Sequence, residues 1–175
     1  MLIRAIKYLA REIQMRRNPL RYARQLGVEV GDGCVFYAMS RDMFGSDPYL
    51  IKIGKRVHVT NGVKFVTHDG GTLIFRNEYP DLDVSAPISV GNDVYIGTFS
   101  LIMPGVKIGN MCVIGAGSIV TRDIPDGSLA VGVPARVIKT IDEYLVTLKE
   151  KSLGCGALSA KKKEIFLRNY FRTNR

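Results

Sequence analysis

The chain contains no tryptophan, only two histidines and three cysteines, and no apolar run long enough to span a bilayer. Cys34, Cys112 and Cys155 are widely separated, with no CxxC pair and no histidine cluster beside them, which excludes a disulfide framework and the common zinc spacings. Two histidines also fall short of a three-histidine metal set, so no metal is expected. No secretory leader is expected either, because Arg4, Lys7, Arg11 and Glu12 interrupt the only apolar N-terminal stretch. The expected compartment is a reducing cytoplasm. With 46% hydrophobic and 23% charged residues, neither disorder nor a fibrous repeat fits the composition.

Acidic residues are also few. Lysine plus arginine number 25 against 16 acidic side chains, a formal charge of +9, with much of the excess near the two ends. Such a balance suits phosphorylated small molecules, an anionic membrane surface or nucleic acid. The last is set aside because no nucleic-acid-binding motif is present. Peripheral membrane contact through the basic ends remains open.

What the chain has in plenty is period. Aliphatic residues recur every six positions at Val90, Ile96, Ile102, Ile108, Ile114 and Val120, which is neither the helical 3.6 nor the strand period of two. Four residues after each stand Val94, Ser100, Val106, Cys112, Ser118 and Ile124, all of small or modest size. Gly91, Gly97, Gly109 and Gly115 directly follow the lead aliphatic, where a tight corner or a close backbone approach would favour a missing side chain. Each hexad therefore reads as one short flat side of a coil, and stacked coils bury the lead aliphatics together. The same phase appears upstream in Val30 with Cys34, Ile53 with Val57, Val59 with Val63, and Phe65. Cys34 and Cys112 thereby fall on inward packing sites.

Val30 to Ile53 and Phe65 to Val90 are not multiples of six, so each gap must hold a loop. The second gap opens with His68, Asp69, Gly70 and Gly71 and runs through residue 83, with phase expected to resume near Val84. A loop of this length leaving a rigid coil suggests a functional element. Leu2 to Arg17 places Leu2, Ile6, Leu9 and Ile13 on one helical stripe that Asn18-Pro19 should stop. Beyond a short strand at 136–139, helices are expected over 141–151 and 161–170, with end-capping of the coil as their simplest role. The organisation expected is a basic N-terminal helix and lead-in at 1–27, a coil domain at 28–139 with a loop at 68–83, and a basic helical tail at 140–175.

The segment from Ile88 to Lys139, above all IGNMCVIGAGSIVTRDIP at 108–125 and GVPARVIK at 132–139, resembles the bacterial hexapeptide-repeat acyltransferases, in particular their sugar and polysaccharide O-acetyltransferase branch. With the upstream hexads and His68, the likeness covers residues 28–145. It implies an all-β left-handed parallel β-helix with N-terminal and C-terminal helices, a homotrimer with active sites between subunits, acetyl-coenzyme A as co-substrate and a sugar acceptor, small or lipid-linked.

Acyl transfer from a thioester to an alcohol needs a base, and a histidine suits neutral pH. His58 is placed outward by the phase, whereas His68 lies at the mouth of the loop and matches the family's catalytic histidine. No serine, cysteine or lysine nucleophile stands beside it in sequence, so direct attack by the acceptor is expected. The resemblance carries cofactor contacts onto Gly97, Thr98, Ala116, Thr121, Arg122, Arg136 and Lys139. A backbone N–H near Gly97 is the candidate oxyanion donor. Tyr37, Asn61, Asp69 and Tyr95 are acceptor-side candidates, Asp69 also as a partner that orients the imidazole; the family often has tryptophan in place of Tyr95. Serine or nucleotide-amino-sugar acetyl transfer, and a non-catalytic scaffold, remain alternatives.

Overall fold

The computed structural model describes residue 9 and residues 12–173. It divides into two compact units, one ending at Ile141 and the other beginning at Asp142. Among the described residues of the first, thirteen strands follow one another: β1 (Glu29–Val30), β2 (Val35–Phe36), β3 (Ile51–Ile53), β4 (His58–Val59), β5 (Lys64–Phe65), β6 (Ile88–Val90), β7 (Tyr95–Ile96), β8 (Leu101–Ile102), β9 (Lys107–Ile108), β10 (Val113–Ile114), β11 (Ile119–Val120), β12 (Ser128–Gly132) and β13 (Ala135–Thr140). They assemble into three sheets ordered β1-β3-β6-β9, β13-β12-β10-β7-β4-β2 and β11-β8-β5.

From β3 to β11 the chain visits the first, second and third sheets in strict rotation, so each circuit is one three-sided coil. Parallel registers such as Tyr95↔Val113, Leu101↔Ile119 and Ser89↔Lys107 set successive coils eighteen residues apart, which is three hexads. Only β13 runs antiparallel, folding back on β12. The lead aliphatics and the residues four further on are all buried, as the period requires. Serines tolerate these inward sites because their hydroxyls donate to corner carbonyls: Ser100 to Gly97 (2.8 Å) and Gly115 (3.0 Å), Ser118 to Gly115 (2.7 Å). Cys34 and Cys112 do the same for Gly54 (3.0 Å) and Pro125 (3.1 Å), and burial pushes both thiols up from their usual pKa.

The glycines after each lead residue serve close approach, not the turn. A Cβ added at Gly91 would lie 2.7 Å from the carbonyl of Gly109, and one at Gly97 only 2.5 Å from the amide nitrogen of Ala116. The turning falls two residues later, where Asp93, Phe99, Gly105, Met111 and Gly117 all have positive φ.

Several expectations need correction. Residues 12–17 are helical, but residues 1–8, 10 and 11 of the expected N-terminal helix lie outside the described residues. Asn18 ends the helical stretch 12–17 as expected, but a second helix starts at once beyond it. Asn18 Oδ1 accepts from the Arg21 amide (3.0 Å) and caps a further helix, α1 (Pro19–Gln25), which buries Tyr22 and Ala23. The phase does not resume at Val84, which is exposed; the coil restarts at Ile88. In the second unit, α2 (Ile141–Lys151) has the expected bounds and α3 (Ala160–Thr173) is longer than expected. Among the described residues no helix is long and apolar enough to cross a membrane.

Gly91→Ala should lower stability by about 1 to 3 kcal/mol through overpacking against the next coil. Gly70→Ala, where an added Cβ meets nothing within 4 Å, should change it little. Denaturant midpoints measured on the two variants check both.

Candidate active site

His68 is the third residue after the inward Phe65, and so occupies the corner between the third and first sheets, equivalent to Gly105 one coil on. The coil before supplies its neighbour. Phe44 stacks on Phe65 (centroids 5.6 Å apart, 25° between planes) and the Phe65 amide donates to Met43 O (2.8 Å), so Asp47, third after Phe44, arrives beside His68. Asp47 Oδ2 is 3.5 Å from His68 Nδ1, and Ser46 Oγ is 3.3 Å from the same nitrogen. The carboxylate also accepts from Ser46 Oγ (2.9 Å), Tyr49 OH (3.0 Å) and Thr67 Oγ1 (3.3 Å). Donation from Ser46 and Tyr49 above all holds the Asp47 carboxyl below its ordinary range. With Nδ1 turned to this anion and the ring 41% exposed, Nε2 is the nitrogen left for an outside proton.

Asp69, expected as the orienting partner, is used otherwise. Its Oδ1 accepts from the Gly71 amide (2.8 Å) and caps a short 3-10 helix at Gly70–Phe75. The carboxylate beside the His68 ring is that of Asp47, which sequence reasoning missed. The loop's base is closed by bonds from Asp69 N to Val84 O (2.9 Å) and Ala86 N to Thr67 O (2.8 Å), while Leu73, Ile74, Phe75 and Tyr79 are exposed.

The remaining candidates divide between two edges of the third sheet. Through the β4, β7 and β10 registers, Asn61, Thr98 and Ala116 stack as one column at the corner between the second and third sheets. Thr98 Oγ1 donates to Thr60 Oγ1 (3.3 Å), and Gly117 N donates to Thr98 O (2.7 Å). Arg136 pairs in register with Val131, one coil beyond Gly115, and Lys139 with Leu129. Thr121 and Arg122, both exposed, follow β11 on the other edge, the one that carries His68 two coils away. The amide of Gly97 itself donates to Ile114 O (2.8 Å), a ladder bond between coils.

Tyr37 and Tyr95 belong to a different face. His58 lies outward on the second sheet, in register with Tyr95, with its Nδ1 3.0 Å from Tyr37 OH and the two rings stacked (5.9 Å, 25°). This histidine lines a groove of about 470 Å³ with Tyr95, Met111 and the bidentate Arg56–Asp93 pair (both bonds 2.6 Å), and His68 is not among its lining residues. Among the described residues no group of three or more His, Cys, Asp or Glu side chains could hold a metal.

Residues 87–122 match the family described as bacterial transferase hexapeptide (six repeats). Protein CapG of Staphylococcus aureus is 49% identical over 152 residues, which cover 87% of this chain and 88% of that protein. The chain belongs to the bacterial hexapeptide-repeat transferases. It is an acyltransferase. The galactoside O-acetyltransferase of Escherichia coli K12 is 58% identical over 59 residues, 34% of this chain and 29% of that protein. A maltose O-acetyltransferase of Clostridium difficile 630 superposes with a TM-score of 0.50 at 28% identity, over 69% of this chain and 73% of that one. The likeness thus runs to the sugar O-acetyltransferases of this family.

Because the Asp47 carboxyl is held low, its contribution to stability is complete above the ordinary carboxylate range and is lost as pH falls through its depressed value. Asp47→Asn should therefore flatten the acid side of the stability profile below about pH 4. Thermal melting of the two proteins across pH 2 to 7 checks this.

Proposed function

We propose that the enzyme transfers an acetyl group from acetyl-coenzyme A to a hydroxyl of a sugar or polysaccharide precursor, with His68 as general base. The carrying observation is the Asp47–His68 pair at an exposed corner. The acceptor O–H gives its proton to Nε2 while its oxygen bonds to the thioester carbonyl carbon; collapse of the adduct breaks the C–S bond, and the proton passes to the leaving thiolate. Asp47 steadies the ring by accepting from Nδ1–H and offsets the charge of the imidazolium that forms. No covalent acetyl-enzyme is needed.

The likeness to galactoside and maltose O-acetyltransferases supports the sugar acceptor. It supports a left-handed coil as well, with residues 28–139 as the catalytic domain, 1–27 as lead-in and 140–175 as tail. The division of candidates supports a homotrimer. In one chain His68 with Thr121 and Arg122 stands on one edge of the third sheet, while Asn61, Thr98, Ala116 and Arg136 stand at the other. A threefold arrangement sets the first edge of one subunit against the second edge of the next. There the exposed hydroxyl and backbone groups would hold the pantetheine arm, and Arg122, Arg136 and Lys139 would meet phosphates. These groups fit coenzyme A in chemical kind, and a cytoplasmic setting fits its supply. No step in this scheme calls on a metal.

His68→Ala should lower turnover by about 100-fold to 10,000-fold, the range for losing a general base, while keeping the trimeric mass and coenzyme A affinity. Thiol release with a panel of sugars, light scattering and calorimetric titration measure the three. His58→Ala, on another face, should retain activity. Parental turnover by His68→Ala, or trimer-free protein with full activity, would overturn the respective parts of the proposal.

A further inference from the structure

The second unit carries a helix whose surface the acyl transfer does not use. In α3 no residue is buried. At 100° per residue, the pairs Phe166 with Tyr170 and Leu167 with Phe171 share one face, and ring contacts join Phe166 to Tyr170 (6.1 Å) and Tyr170 to Phe171 (5.1 Å). Tyr170 is 39% and Phe171 57% exposed, a contiguous aromatic surface in water. Lys161, Arg168 and Arg172 fall on the opposite stripe with Ile165 at its edge, Lys162 lies between the two faces, and Lys163 within the aromatic face. Five cations thus stand against one acid, Glu164, which pairs with Arg168 at 2.8 Å.

Two kinds of occupant would cover such a face: another copy of the chain or a lipid surface. The charge decides between them. Symmetric copies packing α3 on α3 would bring five cations from each together, and Lys163 would be trapped in the apolar centre, where interfaces are depleted of lysine. An anionic interface inverts both terms. The cations meet headgroups of opposite sign, Lys163 reaches up along its alkyl stem, and the aromatic rings sit at the headgroup level where amphipathic rings are favoured. Among the described residues no helix is long and apolar enough to cross a bilayer, so α3 would lie in the interface plane. We propose that Ala160–Thr173 is an interfacial helix that docks the enzyme on an anionic lipid surface. That would bring the catalytic coil to an acceptor carried on lipid. The docking stands independently of the His68 assignment.

The experiment uses the full-length protein and sedimentation with vesicles of phosphatidylcholine alone or with about a third phosphatidylglycerol. Binding is expected to the anionic vesicles only, and it should weaken as salt rises. Lys161→Gln with Lys162→Gln should reduce partitioning about 25-fold, near fivefold for each cation removed at the surface. Phe166→Ser with Phe171→Ser should abolish it, with unchanged oligomeric mass and unchanged thiol release on a soluble acceptor. The idea is overturned if the full-length protein stays in the supernatant with anionic vesicles, or if the variants sediment as the parent does. A serine variant that loses its oligomeric mass would likewise overturn it, by assigning the face to contact between copies.

Discussion

Everything in the first unit depends on how closely one coil can approach the next. Parallel strands pair at about 4.8 Å, and a three-sided coil must hold that spacing at its corners as well as along its flat sides. At the corners no strand ladder does the work, so the backbone comes into near contact. The gap of 2.7 Å between a hypothetical Cβ on Gly91 and Gly109 is the measure of that constraint. Where a side chain is admitted at a corner, it replaces a missing backbone bond. Asn92 Oδ1 accepts from Lys55 N (2.8 Å), Asn110 Oδ1 from Asn92 N (2.9 Å) and Asp126 Oδ1 from Asn110 N (2.8 Å), an outer ladder parallel to the inner one made by Cys34 and Cys112.

The coil was legible in the sequence because this constraint acts on every circuit alike. Six-residue spacing, small inward residues and the recurrent glycine are three records of one geometry. Their agreement from Val90 to Val120 left little freedom. What was misread lies where the repetition stops. The glycines satisfied two readings, turn or close approach, and only the backbone angles separate them: the turn sits at Asp93, Phe99 and Met111, of which only the aspartate is a residue type enriched at positive φ. Helix α1 was overlooked because Asn-Pro reads as a stop from one side and as a cap with a proline in the first turn from the other.

The candidate site divides along the same line. His68 was visible because it is one of two histidines and sits where the hexads break off. Asp47 was not, since the twenty residues between them cross a gap whose length is no multiple of six, and the third side of that first coil has no regular strand. A signal was nevertheless present. Phe44 and Phe65 are both large and buried, each is followed three residues later by a polar residue, and the two aromatics stack. Reading the gap for its inward residue first would have placed Asp47 over His68. Asp69 had only adjacency in its favour, and adjacent side chains at a corner diverge: one continues the column, the other caps the outgoing loop.

Column logic also underlies the proposal that the site is shared between subunits. Residues at the same place in successive circuits share an edge whatever their chemistry, so Asn61, Thr98 and Ala116 keep to one edge as firmly as His68 and Arg122 keep to the other. The two columns are separated by the width of a sheet whose strands are as rigid as the rest. No loop adjustment within the chain closes that distance without breaking the stack. A hinge or a collapsing lid is therefore a poor way to bring base and cofactor groups together on this scaffold. The proposed association of identical rigid prisms, edge to edge, would achieve it with no internal motion, and the long excursion after His68 leaves from that edge with its apolar residues on the outside.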